Sequence, residues 1–290
     1  MEKARDSKRS LQTARILVGT SGYSYTEWVT AGVYAPGTKP GQMLGSYAAM
    51  FPVTEVTHTW YQMPKADAVE RLRRQVPAEF LFSALLTRTL THEVDRGQWR
   101  REVARYRDGI APLLQTRQLV AVLAQFGEDF DRSLEHRQYL AALLDELAGM
   151  PLAVEFRHDS WVHGRVSAEL ERRKVTLVSV DAPPLPGFFP SLSVVTNPEL
   201  FYVRFHGRNA PGWRSGSLVQ QCTYDYRDEE LQEWIDDRIL SMAERARCGV
   251  VFFTNHPFGH AVRNARRLGE LLATAGVVEK RRWMSAASFT

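Results

Sequence analysis

The chain has few of the features that staple small secreted domains or bind zinc: its two cysteines, Cys222 and Cys248, lie far apart and outside any CxxC spacing. Neither a disulfide framework nor a zinc cluster is expected, and a reducing cytoplasm is the expected location. No apolar run approaches the roughly 18 residues of a membrane span. The basic N-terminus, interrupted by Glu2 and Asp6, lacks the apolar segment of a signal peptide. No membrane partner is therefore expected. The chain also lacks a strong charge of one sign, since 37 basic residues face 33 acidic ones for a net +4. That mild balance hints at an anionic partner. There is no short repeat, no low-complexity linker, and no Gly-x-Gly-x-x-Gly turn after the first apolar run, which argues against a dinucleotide-binding open sheet.

What is present is 290 residues of 44% hydrophobic composition, enough for one large core. Short β-branched runs alternate with longer helical patterns. Strands are expected at 16–19, 53–60, 80–85, 119–124, 152–157, 175–180, 200–205 and 250–253. Helices are expected at 43–51, 66–75, 98–114, 134–147, 167–173, 228–247 and 261–273, with a Pro-rich loop before the seventh strand. Eight strands in this alternation predict an α/β fold of the TIM type, a single-domain (β/α)8 barrel over residues 15–275. Residues 1–14 form a basic tail expected to be disordered, and 276–290 a second tail.

In a parallel barrel the strands read as apolar runs, so ionisable residues within them need an explanation. They gather at C-terminal strand ends: Glu55, then Glu155 and Arg157, then Asp181, then Arg204 and His206, with Asn255 and His256 after the last strand. Alternation along a strand puts Glu155 with Arg157, Arg204 with His206 and Arg208, and Glu55 with Thr57 and Thr59 on shared faces. These edges are expected to form a polar mouth, where barrel enzymes place their chemistry. The plainer reading is a salt-bridge network of Glu55, Glu155 and Asp181 with Arg157 and Arg204 that fills the barrel.

Several strings together resemble one family: Gly19-Thr20-Ser21-Gly22-Tyr23-Ser24-Tyr25 with Trp28, Glu55-Val56-Thr57-His58-Thr59-Trp60-Tyr61 with Pro64, Thr91-His92, Glu155-Phe156-Arg157-His158-Asp159-Ser160-Trp161, Arg204-Phe205-His206-Gly207-Arg208, and Asn264-Ala265. The set is similar to the YecE-like family, also called domain of unknown function 72, over residues 16–271. The resemblance implies a TIM-type barrel with no established family-wide activity. The chain departs from the family pattern at Thr57 and Thr254, where Asn is usual, and at Leu85, where Lys is frequent.

Two classes of function fit these residues. In the first, an enzyme acts on a phosphorylated, sugar-phosphate or nucleic-acid-like anionic substrate. Arg157, Arg204 and Arg208 clamp oxyanions while Glu155, His206 or Asp181 moves a proton. Tyr23, Trp28, Tyr61 and Trp161 offer stacking surfaces, and His92 and Asn255 lie near enough to the strand ends to touch a ligand. A divalent metal on Glu55, Glu155, Asp181 and His206 is a less favoured version, because the neighbouring guanidinium groups compete for the carboxylates. Retaining glycoside hydrolysis by Glu55 and Glu155 is a minor one. The sequence names no cofactor. In the second class a non-catalytic barrel binds a small anion or nucleic acid.

The remaining histidines are read more plainly. His58 is expected on the strand face opposite Glu55, packed toward a helix, and His256 and His260 are read as loop residues. Gly207, Gly212 and Gly216 predict a seventh loop able to close over a ligand with Trp213 as its anchor, and Tyr224-Asp225-Tyr226 as its outer wall.

Overall fold

The computed structural model describes residues 14–276; both expected tails lie outside it apart from Ala14 and Gly276. Eight parallel strands close into one barrel in sequence order: β1 (Arg15–Ser21), β2 (Val53–Val56), β3 (Leu81–Leu85), β4 (Leu119–Gln125), β5 (Leu152–Glu155), β6 (Thr176–Asp181), β7 (Leu200–Phe205) and β8 (Cys248–Phe253). The helices Pro40–Ala48, Ala66–Arg73, Trp99–Gln115, Leu134–Glu146, Gly164–Arg173 and His260–Thr274 cover the outside, with a helical rod running from Asp228 to Ala243 through a wide turn at Ile235–Ile239. No helix fills the connection 182–199 between β6 and β7. Among the described residues no helix is long and apolar enough to cross a membrane.

The period of two along each strand divides the side chains between two cores. Leu17, Val53, Leu123, Ala153, Val178, Tyr202 and Phe252 pack inside the barrel. The alternate positions Val18, Phe82, Val122, Val154, Val203 and Phe253 pack outward under the helices. Lateral register then sets which polar residues meet: Glu55 is level with Ser21 and Ser83, and Gln125 with Glu155. At Gly19 the strand runs so close to β2 that a Cβ there would lie 2.1 Å from the Val53 carbonyl oxygen, so this position of the first motif requires glycine.

The second strand is shorter than its sequence pattern suggests. It ends at Val56, because Thr57 adopts a helical backbone and His58–Tyr61 form a helical turn. The Thr59 hydroxyl, 2.8 Å from the Val56 carbonyl and 2.7 Å from that of Leu85, anchors this turn by donating to one or the other. Glu55, Thr57 and Thr59 therefore do not share a strand face, and His58 is exposed rather than packed toward a helix.

Candidate functional site

The deepest polar layer of the barrel centres on Arg204, placed by β7 in the interior and almost wholly buried. Its Nη1 donates to Glu155 Oε2 at 2.7 Å and its Nη2 to Glu55 Oε2 at 3.0 Å, while its Nε lies 2.9 Å from Glu55 Oε1. The Tyr202 hydroxyl donates to Glu55 Oε1 at 2.6 Å. Ser83 Oγ lies 2.8 Å from that hydroxyl, whose proton is already committed, so Ser83 is the donor there. Burial pushes the Tyr202 phenol up, and the Glu55 carboxylate pushes it further. Both carboxylates are fully buried.

Above this layer Glu155 Oε1 faces His206 Nε2 at 3.0 Å and Arg157 Nη2 at 2.8 Å. Burial would raise the Glu155 pKa, but Arg204, Arg157 and His206 together hold it well below the usual carboxylate range. Burial first, and the Arg157 charge second, push the His206 imidazole down to about 3, against the opposing pull of Glu155. Nε2 lies between an acceptor, Glu155 Oε1, and a donor, Arg157 Nη2 at 3.2 Å. Nδ1 lies 2.9 Å from the Thr254 hydroxyl, which is also 3.2 Å from the Phe205 carbonyl. With His206 neutral, two carboxylates face two guanidinium groups and the cluster is charge-balanced.

Arg157 differs from Arg204. Beyond its Nη2, which also lies 3.2 Å from His206 Nε2, its Nε and Nη1 have no hydrogen-bond partner among the described residues, and its side chain is 12% exposed. The Trp213 ring covers it, with the guanidinium carbon 5.0 Å from the ring centroid, and meets His206 edge-on at 6.1 Å. Trp213 rides on the loop after β7, which opens at Gly207 with φ 88°. Any side chain there would be strained and would strike Tyr224. Asn209 ties the loop to itself through Gln220 and Thr223, as in a compact Ω-loop. On the other side Trp60 packs over the barrel interior and meets the rings of His92 at 5.2 Å and Tyr61 at 4.8 Å. The indole nitrogens of Trp60 and Trp213 are both buried without a hydrogen-bond partner.

Of the residues named from sequence, Glu55, Glu155, Arg157, Arg204 and His206 converge as expected. His92 and Tyr61 lie at the rim, Tyr61 being 63% exposed. Five others are placed elsewhere. Asp181 points outward from β6, where its carboxylate takes both Nε contacts of Arg208, at 3.1 and 3.0 Å, and the Trp234 indole at 2.9 Å. Arg208 is drawn behind the barrel wall because the left-handed Gly207 breaks the strand alternation after His206. Trp161 is buried, stacked on Phe156 at 4.4 Å, and donates to the Phe130 carbonyl. Tyr23 packs against Tyr47, 6.2 Å away, on the helix side. Asn255 braces the loop after β7 to the last helix through Tyr224 O and Asn264 Oδ1. The proposed metal set is likewise not assembled, because Asp181 faces away and the guanidinium groups occupy the Glu55 and Glu155 oxygens.

Trp28, also considered for stacking, is buried and donates to the His256 carbonyl. His256 itself stacks on Tyr25 at 4.3 Å. Sequence reasoning missed Tyr202, Ser83 and Trp60. The first two were legible as polar interruptions of apolar runs in the inward phase; Trp60 was hidden by the helical turn that replaces the end of β2.

Residues 17–286 match the family model described as "Protein of unknown function DUF72". The chain is 26% identical over 276 residues to UPF0759 protein YunF of Bacillus subtilis (strain 168), covering 89% of this chain and 94% of that protein. Among solved structures, a DUF72 family protein from Thermotoga maritima MSB8 superposes with a TM-score of 0.80 at 31% identity, covering 89% of this chain and 99% of the other. One from Enterococcus faecalis V583 gives 0.79 at 26%, covering 89% and 95%.

Proposed function

Since the chain belongs to the DUF72 family, whose description supplies no reaction, we propose from the chemistry of its own mouth that the barrel holds a small anionic, ring-bearing ligand such as a phosphate ester. The anionic group sits on Arg157 and the ring against Trp213 and Trp60, and the Glu155–His206 pair moves a proton to or from the ligand.

One contrast carries this reading. Arg204 faces two carboxylates and gives Nη1 to one and Nη2 to the other, whereas Arg157 meets one carboxylate oxygen and its Nε and Nη1 have no hydrogen-bond partner among the described residues. Nε and Nη1 lie on different edges of the Arg157 guanidinium, so each offers a single charge-assisted hydrogen bond to an oxyanion. The indole N–H groups of Trp213 and Trp60 are also without a partner, which suits a ligand that carries acceptors. The cytoplasm, where phosphate esters are abundant, remains the proposed location.

Calorimetric titration with 4-nitrophenyl phosphate and with inorganic phosphate tests it. Wild type should bind both, and Arg157→Ala should bind neither. Equal affinity in the variant would overturn the assignment. A binding-only reading is favoured by one observation: both nitrogens of His206 are engaged, by Glu155 and by Thr254. Glu155→Gln and His206→Ala decide between the two, because loss of release of the nitrophenolate with binding retained supports proton transfer. Binding without release in the wild type supports the second reading.

A further inference from the structure

The connection 182–199 between β6 and β7 carries no helix, and its first half is built on prolines. Pro183, Pro184, Pro186 and Pro190 have a fixed φ and no N–H, so this stretch forms neither a central strand nor a helix. It curls instead around a hollow of about 460 Å³ lined by residues of 182–191. That volume lies within the roughly 300–1,000 Å³ of small-molecule sites.

Backbone bonds hold the hollow open. Pro186 and Gly187 (φ 82°) form the middle of a turn, which the Phe188 N–H closes on the Leu185 carbonyl at 3.1 Å. Beyond the turn the chain runs antiparallel to the segment after β5. There the Asp159 N–H donates to the Gly187 carbonyl at 2.9 Å, and the Phe189 N–H to the Arg157 carbonyl at 2.6 Å. At the far end the Ser191 hydroxyl donates to the Val180 carbonyl at 2.5 Å. Walls tied at both ends need little further ordering when a ligand enters.

The same bonds join the hollow to the mouth. Phe189 is bonded to the backbone of Arg157, and the Phe188 ring, which lines the hollow, meets the Trp213 ring edge-on at 5.5 Å. Trp213 in turn covers the Arg157 guanidinium at 5.0 Å. A ligand anchored on Arg157 and lying along Trp213 therefore meets Phe188 next.

The lining sets the chemistry of what enters. Among its described residues Ser191 alone has a polar side chain, and that hydroxyl is already bonded. The hydroxyls of a sugar would lose water here without a side-chain partner, whereas an apolar group gains from burial. We infer that the hollow is a subsite for the far end of the mouth's ligand, which makes that ligand a phosphate ester of an extended apolar group rather than a sugar phosphate. The inference rests on the reading of Arg157 as the anchor of the anionic group.

Calorimetric titration with inorganic phosphate, 4-nitrophenyl phosphate, biphenyl-4-yl phosphate and glucose 6-phosphate tests it. In the wild type the second ring of the biphenyl ester should tighten binding about tenfold to a hundredfold over 4-nitrophenyl phosphate. Glucose 6-phosphate should bind no tighter than inorganic phosphate. Ala182→Leu fills the hollow and should erase the gain of the second ring while affinity for 4-nitrophenyl phosphate stays level. Leu185→Gln, which sets an amide in the wall at similar bulk, should reduce the gain several-fold, so the outcome does not depend on one variant folding. Equal affinity of the two aryl esters in the wild type, with inorganic phosphate still bound, would overturn the inference and leave the Arg157 reading standing. A gain that survives both variants, or glucose 6-phosphate bound as tightly as the biphenyl ester, would do the same. A wild type that does not bind inorganic phosphate would overturn both.

Discussion

Arg157 Nη2 lies 2.8 Å from Glu155 Oε1, the single carboxylate contact of a guanidinium whose Nε and Nη1 have no hydrogen-bond partner among the described residues. Below it, Arg204 is held by Glu155 on one edge and Glu55 on the other. The two arginines thus differ: Arg204 faces a carboxylate on each of two edges, whereas Arg157 faces one carboxylate and lies under the Trp213 ring.

The lower layer should behave as a buried ion triad. Arg204→Met leaves Glu55 and Glu155 facing each other without their shared cation, and should destabilise the fold by about 3–5 kcal/mol in urea denaturation. Adding Glu55→Gln should restore part of that loss. A cost below about 1 kcal/mol would show that the layer is not the tightly coupled unit described.

Acid should weaken the protein in two overlapping steps. His206 is held neutral with its pKa pushed down to about 3, so between that value and an unfolded value of about 6.5 the unfolded chain binds the extra proton and stability falls as pH falls. Glu155, held well below the carboxylate range, adds the same sign: its contribution is complete above the unfolded value of about 4.3 and is lost as pH drops through the folded one. His206→Asn should flatten the stability profile between about pH 6.5 and 4.5 relative to wild type. An unchanged slope there would mean that His206 is not buried as a neutral ring.

Trp213 should distinguish ligands by their rings. Trp213→Ala removes the stacking surface and the cation–π contact, terms of about 0.5–2 kcal/mol. Affinity for 4-nitrophenyl phosphate should therefore fall by roughly threefold to thirtyfold, with little change for inorganic phosphate, as read by calorimetry. Equal losses for both would place Trp213 in the support of Arg157 rather than against the ligand.

Asp181 and Arg208 supply the converse test. Their ion pair lies behind the barrel wall with Trp234, so Asp181→Asn should lower stability by about 1–3 kcal/mol through the weakened buried contacts and leave ligand affinity unchanged. A loss of affinity with stability intact would return Asp181 to the site.

The barrel was legible in the sequence because its evidence is repeated eight times, and one misplaced strand end does not alter the topology. The inward phase of Glu55, Glu155, Arg157, Arg204 and His206 followed from alternation within strands or their direct extension. The same rule failed wherever the chain left the strand. Gly207 adopts a left-handed backbone and sends Arg208 outward, Thr57 turns helical and brings Trp60 over the interior, and Asp181, in the outward phase of β6, was read by its position at a strand end rather than by its parity. For Trp161 and Tyr23 the difficulty was chemical. An aromatic residue in a loop motif serves a core as readily as a ligand, and only the fold shows Trp161 stacked on Phe156 of its own motif and Tyr23 packed on the distant Tyr47.

The most direct measurement is a crystal structure of the protein soaked with tungstate, a heavy oxyanion of phosphate-like geometry whose anomalous signal locates it without bias. The account predicts a peak within hydrogen-bonding reach, about 3 Å, of Arg157 Nε or Nη1, on the Trp213 side of the mouth, and its disappearance in Arg157→Ala. A mouth without a peak, with tungstate bound instead between Asp181 and Arg208 or nowhere, would contradict it.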